Sequence, residues 1–102
     1  MRQPPEEQEA LRDLSRARED AMHDLRRCRL RLSALLLRHS RVYSDGPNWA
    51  RKHLRWLDEQ RFDDPNLQLA YENYRRVLEH AEQHHDQLLQ QLRSAVAESS
   101  LA

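Results

Sequence analysis

Two long stretches of this chain carry residues at alternating intervals of three and four, and few folds can use such a pattern. In the first stretch they are Leu11, Leu14, Arg18, Ala21, Leu25, Cys28, Leu32 and Leu35. In the second they are Leu67, Tyr71, Tyr74, Leu78, Ala81, His85, Leu88, Leu92 and Ala95. A mean repeat of 3.5 keeps one stripe of a helix turned toward a partner helix along its whole length. The two seams are nearly equal in length and are joined by a central connector. They therefore predict an all-α fold, an antiparallel helical hairpin (a coiled coil) of helices over about residues 5–39 and 65–97. The whole chain, 1–102, reads as one domain.

The rest of the composition agrees. Strands need turns and turns usually need glycine, yet the 102 residues contain one glycine, Gly46. A two-helix hairpin has a thin core, and small scaffolds usually need further burial. Leu36, Leu37, Met22, Leu30, Leu69, Val77 and Leu89 lie outside the strict seams and are available for it. The expectation is a homo-oligomer, a dimer first, with two hairpins forming a four-helix arrangement. One register sets Leu32 near Leu67, Cys28 near Tyr71, Leu25 near Tyr74 and Ala21 near Leu78; a shift of one heptad is the alternative.

The connector has its own structure. Asp45-Gly46-Pro47 marks a turn. A short helix follows over about 48–61, capped by Ser44, Asp45 or Asn48. Trp49, His53, Trp56 and Leu57 share one of its faces and predict an apolar cap laid over the hairpin tip. Asp64 ahead of Pro65 is a strong N-cap for the third helix. The terminal "AESSLA" is expected to fray.

Net charge is zero, but its distribution is uneven. Residues 26–55 carry nine bases against Asp45 alone, whereas acids outnumber bases on both sides. A chain that folds back in its middle collects that positive charge at one end. Arg27, Arg31, Arg38, Arg41, Arg51, Lys52 and Arg55 are thus the candidate nucleic-acid contacts, against the plainer reading of a solvated face. No base-reading motif accompanies them.

Other residue types point away from chemistry. Arg18 and His85 interrupt the seams, either to select register and partner or as long side chains snorkelling to the edge. His80 and His84 are four apart, but "HAEQHH" is no metalloprotease pattern and reads as solvent-exposed. Cys28 is the sole cysteine, so no internal disulfide forms, and it sits in the seam as a buried thiol. No glycine-rich phosphate loop or catalytic constellation is visible. The expectation is a non-enzyme with no cofactor, metal or small-molecule substrate. No apolar run reaches membrane-spanning length and the N-terminus is no signal peptide, so the expected setting is cytoplasmic, without a membrane partner.

The run "LRDLSRAREDAMHDLRRCRLRLSALLLRHSRVY", followed by Trp49, His53, Trp56, Leu57, "RFDDP" at 61–65, Leu67 and Gln68, resembles the middle region of insertion sequence 110 family transposases. Those proteins join a RuvC-like DEDD domain to a domain with a catalytic serine and are guided by a structured bridge RNA. A helical region connects the two parts and helps protomers assemble. Two departures stand out: Ser40 and Ala50 occupy positions where the family often has glycine and threonine. The resemblance implies a piece of a transposase, excised or from a truncated gene, that lacks both catalytic parts. It implies a dimerisation and linker role in DNA transposition and recombination, with bridge RNA or DNA at the basic tip. The competing reading is a free-standing helical adaptor.

Overall fold

A computed structural model of the protein describes residues 5–101. It contains α1 (Pro5–Arg38), α2 (Arg51–Glu59) and α3 (Pro65–Leu101), with no strand among the described residues. The long helices pack antiparallel in a hairpin of 61 × 25 × 15 Å. Its buried core is Leu25, Leu32, Leu35 and Leu36 of α1, Leu57 of α2, and Tyr71 and Leu78 of α3. The heptad residues thus face inward as their spacing requires. Of the additional apolar residues only Leu36 is fully buried; Leu30, Leu37, Leu69 and Val77 remain exposed.

The register is the heptad-shifted one. Leu11 and Leu14 share a groove with Ala95, Glu98 and Ser99, whereas the first register would set Leu11 across from Leu88. Counting back by heptads from Leu11 and Ala95 places Leu32 opposite Tyr74, Leu25 opposite Ala81 and Ala21 opposite His85. Both registers bury leucine and alanine in alternation, so packing alone distinguishes them weakly. In this register the end of α3 lies level with the start of α1, and α3 stays helical to Leu101 through the segment expected to fray.

The helix ends follow from local chemistry. Ser40 adopts φ 59°, the left-handed region, and two bonds close the end of α1. The Ser40 N–H donates to the Leu37 carbonyl at 3.0 Å and the Arg41 N–H to the Leu36 carbonyl at 2.9 Å. This is the paired C-terminal closure in which glycine usually stands at the Ser40 position. At the start of α3, Asp64 Oδ1 accepts from the N–H groups of Asn66 at 2.9 Å and Leu67 at 3.0 Å, the expected cap.

Candidate functional site at the hairpin tip

The short helix is tighter than the sequence predicts, beginning at Arg51 rather than 48 and ending at Glu59 rather than 61. Trp49 has φ 67°, outside the right-handed helical region, and Gln60 is extended. None of the three candidate caps operates, because Ala50 occupies the N-cap without a side-chain bond. His53 takes over: from the third helical position its Nδ1 reaches back to accept the Trp49 N–H at 2.8 Å. This mirrors the reciprocal arm of a capping box. It also fixes the tautomer, since an accepting Nδ1 carries no proton.

Around that imidazole the aromatic residues gather. Tyr43 lies 4.7 Å from His53 between ring centres, Trp49 4.8 Å and Trp56 5.8 Å. Burial, followed by the Arg75 charge, holds His53 below the ordinary imidazole value. Leu57 has no exposure at all, and Tyr71 donates its hydroxyl to the Leu57 carbonyl. Burial pushes the Tyr71 phenol up to about 12, so it remains a donor at neutral pH. Gln60 Nε2 reaches the Trp56 carbonyl at 2.9 Å and the Arg61 guanidinium the Asp58 carbonyl at 2.9 Å. Three carbonyls at the end of α2, which a helix leaves unpaired, are thereby satisfied by side chains. Trp49, His53, Trp56 and Leu57 meet at the tip, with Trp49 joining from outside the helix rather than along its face.

The seven candidate cations separate into distinct environments. Arg41 is turned into the fold: its guanidinium donates to Gln60 Oε1 at 2.8 Å and to the Arg61 carbonyl at 2.7 Å, and it lies 4.3 Å over the Phe62 ring. It clamps the exit of α1 to the exit of α2. Arg27 pairs with Asp24 one turn away. Arg31 and Arg38 are exposed along α1, and Arg51, Lys52 and Arg55 are exposed on α2. The last three form the cationic outer face of the cap.

Sequence reasoning missed Arg29 and Arg75. Arg29 stands 5.2 Å over the Trp49 ring, and Arg75 pairs with Asp58 of α2. Both sit just beside the seams, a position that could have flagged them as edge contacts. Of the polar seam residues, His85 is buried with Nδ1 3.6 Å from Asp86 Oδ1 and no hydrogen bond to Nε2, and Arg18 Nε has no hydrogen-bond partner. Cys28 is a half-buried free thiol. Among the described residues no helix is long and apolar enough to cross a membrane.

Comparison with known proteins gives this tip a context. Over 67 residues, 66% of its length, the chain is 46% identical to a protein named as transposase y4qE from Sinorhizobium fredii (strain NBRC 101917 / NGR234). Over 72 residues, 70% of its length, it is 36% identical to the transposase for insertion sequence element IS1533 of Leptospira borgpetersenii. The matches take in 17% and 21% of those two proteins, so the chain spans about one fifth of the relatives it matches. No family profile and no solved structure matches it. The chain therefore has homologues named as transposases, in keeping with that part of the resemblance.

Proposed function

We propose that this chain is the helical connector of a transposase of the insertion sequence 110 type. It holds protomers together during DNA transposition and touches nucleic acid through the outer face of α2. The similarity to segments of two transposases supports the transposition part of this reading. In the resembling family a helical region of this kind joins two catalytic parts, so the chemistry lies outside the hairpin. The flanking DNA is the direct test: a DEDD domain upstream and a serine domain downstream are expected, and the lack of both would reject the reading.

The nucleic-acid part rests on Arg51, Lys52 and Arg55, three exposed cations on a rigidly docked helix. Each phosphate neutralised releases counterions, so affinity falls steeply with salt. Three contacts to duplex DNA predict roughly a 40-fold loss between 50 and 200 mM salt. The purified chain, titrated by fluorescence anisotropy against labelled duplex DNA and structured RNA, should show that dependence. Reversal of charge at all three positions should abolish it. Equal binding by the reversed variant would overturn this part. Arg41 is left out of the variant because its removal would disturb the fold.

A further inference from the structure

The position of α2 makes the two broad faces of the hairpin unequal. One side carries Arg29 and Leu36 of α1 and Gln68 and Arg75 of α3. All four engage the tip: Leu36 is buried, Arg29 covers Trp49, Arg75 pairs with Asp58, and Gln68 Oε1 accepts the Phe62 N–H at 2.8 Å. On the opposite side α1 presents Ala10, Ala17, Asp24, Arg31 and Arg38, again at intervals of seven. Facing them, α3 presents Ala70, Val77, His84, Gln91 and Glu98. No helix of the chain covers this second face.

Its pattern is polar in the electrostatic sense and graded in size. The tip half holds Arg31 and Arg38. The open half holds only Ala10 and Ala17 on α1 and ends in a groove of about 350 Å³ flanked by Glu7 and Glu98. The larger charge distribution runs the same way. Residues 26–65 carry ten Lys or Arg against five acids, whereas residues 5–25 and 80–102 together carry ten acids against four bases.

We propose that two copies of this chain pair antiparallel across the bare face, tip against open end. The inference rests on the assembly part of the proposed function and adds the face and the direction. In this arrangement Arg31 and Arg38 lie over the partner's Ala17 and the partner's Ala10. Large side chains meet small ones, and each arginine pair approaches the acid-flanked groove. The two-fold axis passes near Asp24 and closes the assembly, because each tip meets the other copy's open end. A parallel pair would gather the arginines of both copies at one end and the acids of both at the other. Both copies of α2 remain on the outside, leaving Arg51, Lys52 and Arg55 free for phosphate.

Direction can be read from one distance. With Cys28→Ala removing the native thiol, Leu37→Cys carries a spin label at an exposed site outside the bare face. Light scattering on the unlabelled wild-type chain and electron–electron dipolar spectroscopy on the labelled variant are then combined. Thirteen residues separate Leu37 from Asp24, so an antiparallel pair sets the two labels about 40 Å apart along the axis. A parallel pair sets them under about 30 Å apart, given interaxial distances near 10 Å. Circular dichroism checks the fold, and Cys28→Ser replaces Cys28→Ala if the latter unfolds. A dimeric mass with a distance near 40 Å supports the proposal. A dimeric mass with a short distance overturns the direction while leaving the assembly reading intact. A monomeric mass at every concentration overturns both.

Discussion

Leu57→Ala tests whether the cap is anchored as its geometry requires. Leu57 is fully buried, belongs to the central cluster and offers its carbonyl to Tyr71, so it is the point at which α2 is fastened. Truncating a buried leucine costs about 3 kcal/mol through lost transfer energy and the cavity left behind. Isolated helices shorter than about 12 residues are marginal in water, so α2, with nine, depends on this docking. The hairpin itself keeps two helices of 34 and 37 residues whose seam does not involve Leu57. Two probes separate these effects, because both tryptophans lie at the tip while far-ultraviolet circular dichroism reports the long helices. The tryptophan fluorescence midpoint should fall by roughly 12 °C or more, at about 4 °C per kcal/mol for a chain of this size. The dichroism signal at 25 °C should stay nearly unchanged. A fluorescence shift below about 4 °C, corresponding to less than about 1 kcal/mol, would refute the anchoring role. Loss of helical signal in step with fluorescence would refute the independence of cap and hairpin.

Trp56→Ala should likewise loosen the tip and leave the long helices helical; an unchanged melting temperature would contradict it. Ser40→Gly should raise stability by about 0.5 kcal/mol by removing left-handed strain, less the added freedom of the unfolded chain, as read by urea midpoint. Asp64→Ala should cost about 1 kcal/mol in the same assay, because two N–H groups of α3 lose their acceptor. The pH dependence follows from His53, whose folded pKa lies below 6.5. Its contribution is complete above 6.5 and is lost as the pH falls through the folded value, since protonation also breaks the Trp49 bond. Glu82 works in the opposite sense: burial raises its pKa, so its cost fades as acid is added. The melting temperature should therefore fall from pH 7 to 5.5, and His53→Gln should flatten that fall.

The hairpin was legible because a 3.5-residue repeat survives any ignorance of tertiary contacts. Leu25, Leu32, Tyr71 and Leu78 sit where it puts them. The register was not, because a seven-residue shift maps one leucine–alanine pattern onto another. The N-terminus of α2 was hidden for a different reason. Ser44, Asp45 and Asn48 have the chemistry of caps, but a left-handed Trp49 and a returning His53 close that end instead. Charge was the least transparent feature. Arg41 looks like its neighbours in the sequence, yet it meets Gln60 and Arg61 nineteen and twenty residues away. No local rule predicts such contacts.

That consumption of Arg41 changes what the basic tip can do. A phosphate-binding surface needs cations that reorganise little on binding, and a guanidinium holding two hydrogen bonds and an aromatic face would have to abandon all three. Its exclusion leaves two groups separated by the thickness of the hairpin. Arg51, Lys52 and Arg55 lie on the capped side, and Arg31 and Arg38 on or beside the bare one. A single phosphate backbone tracking one face engages one group only. The fold thus divides an arginine-rich segment into two surfaces, and the docking of α2 makes the division. Removing the cap would merge them, so under the proposed function a variant with a loosened tip should not bind nucleic acid and a second copy at the same time. Dimer mass measured with and without saturating nucleic acid would expose that loss, and unimpaired joint binding by Leu57→Ala would refute the division.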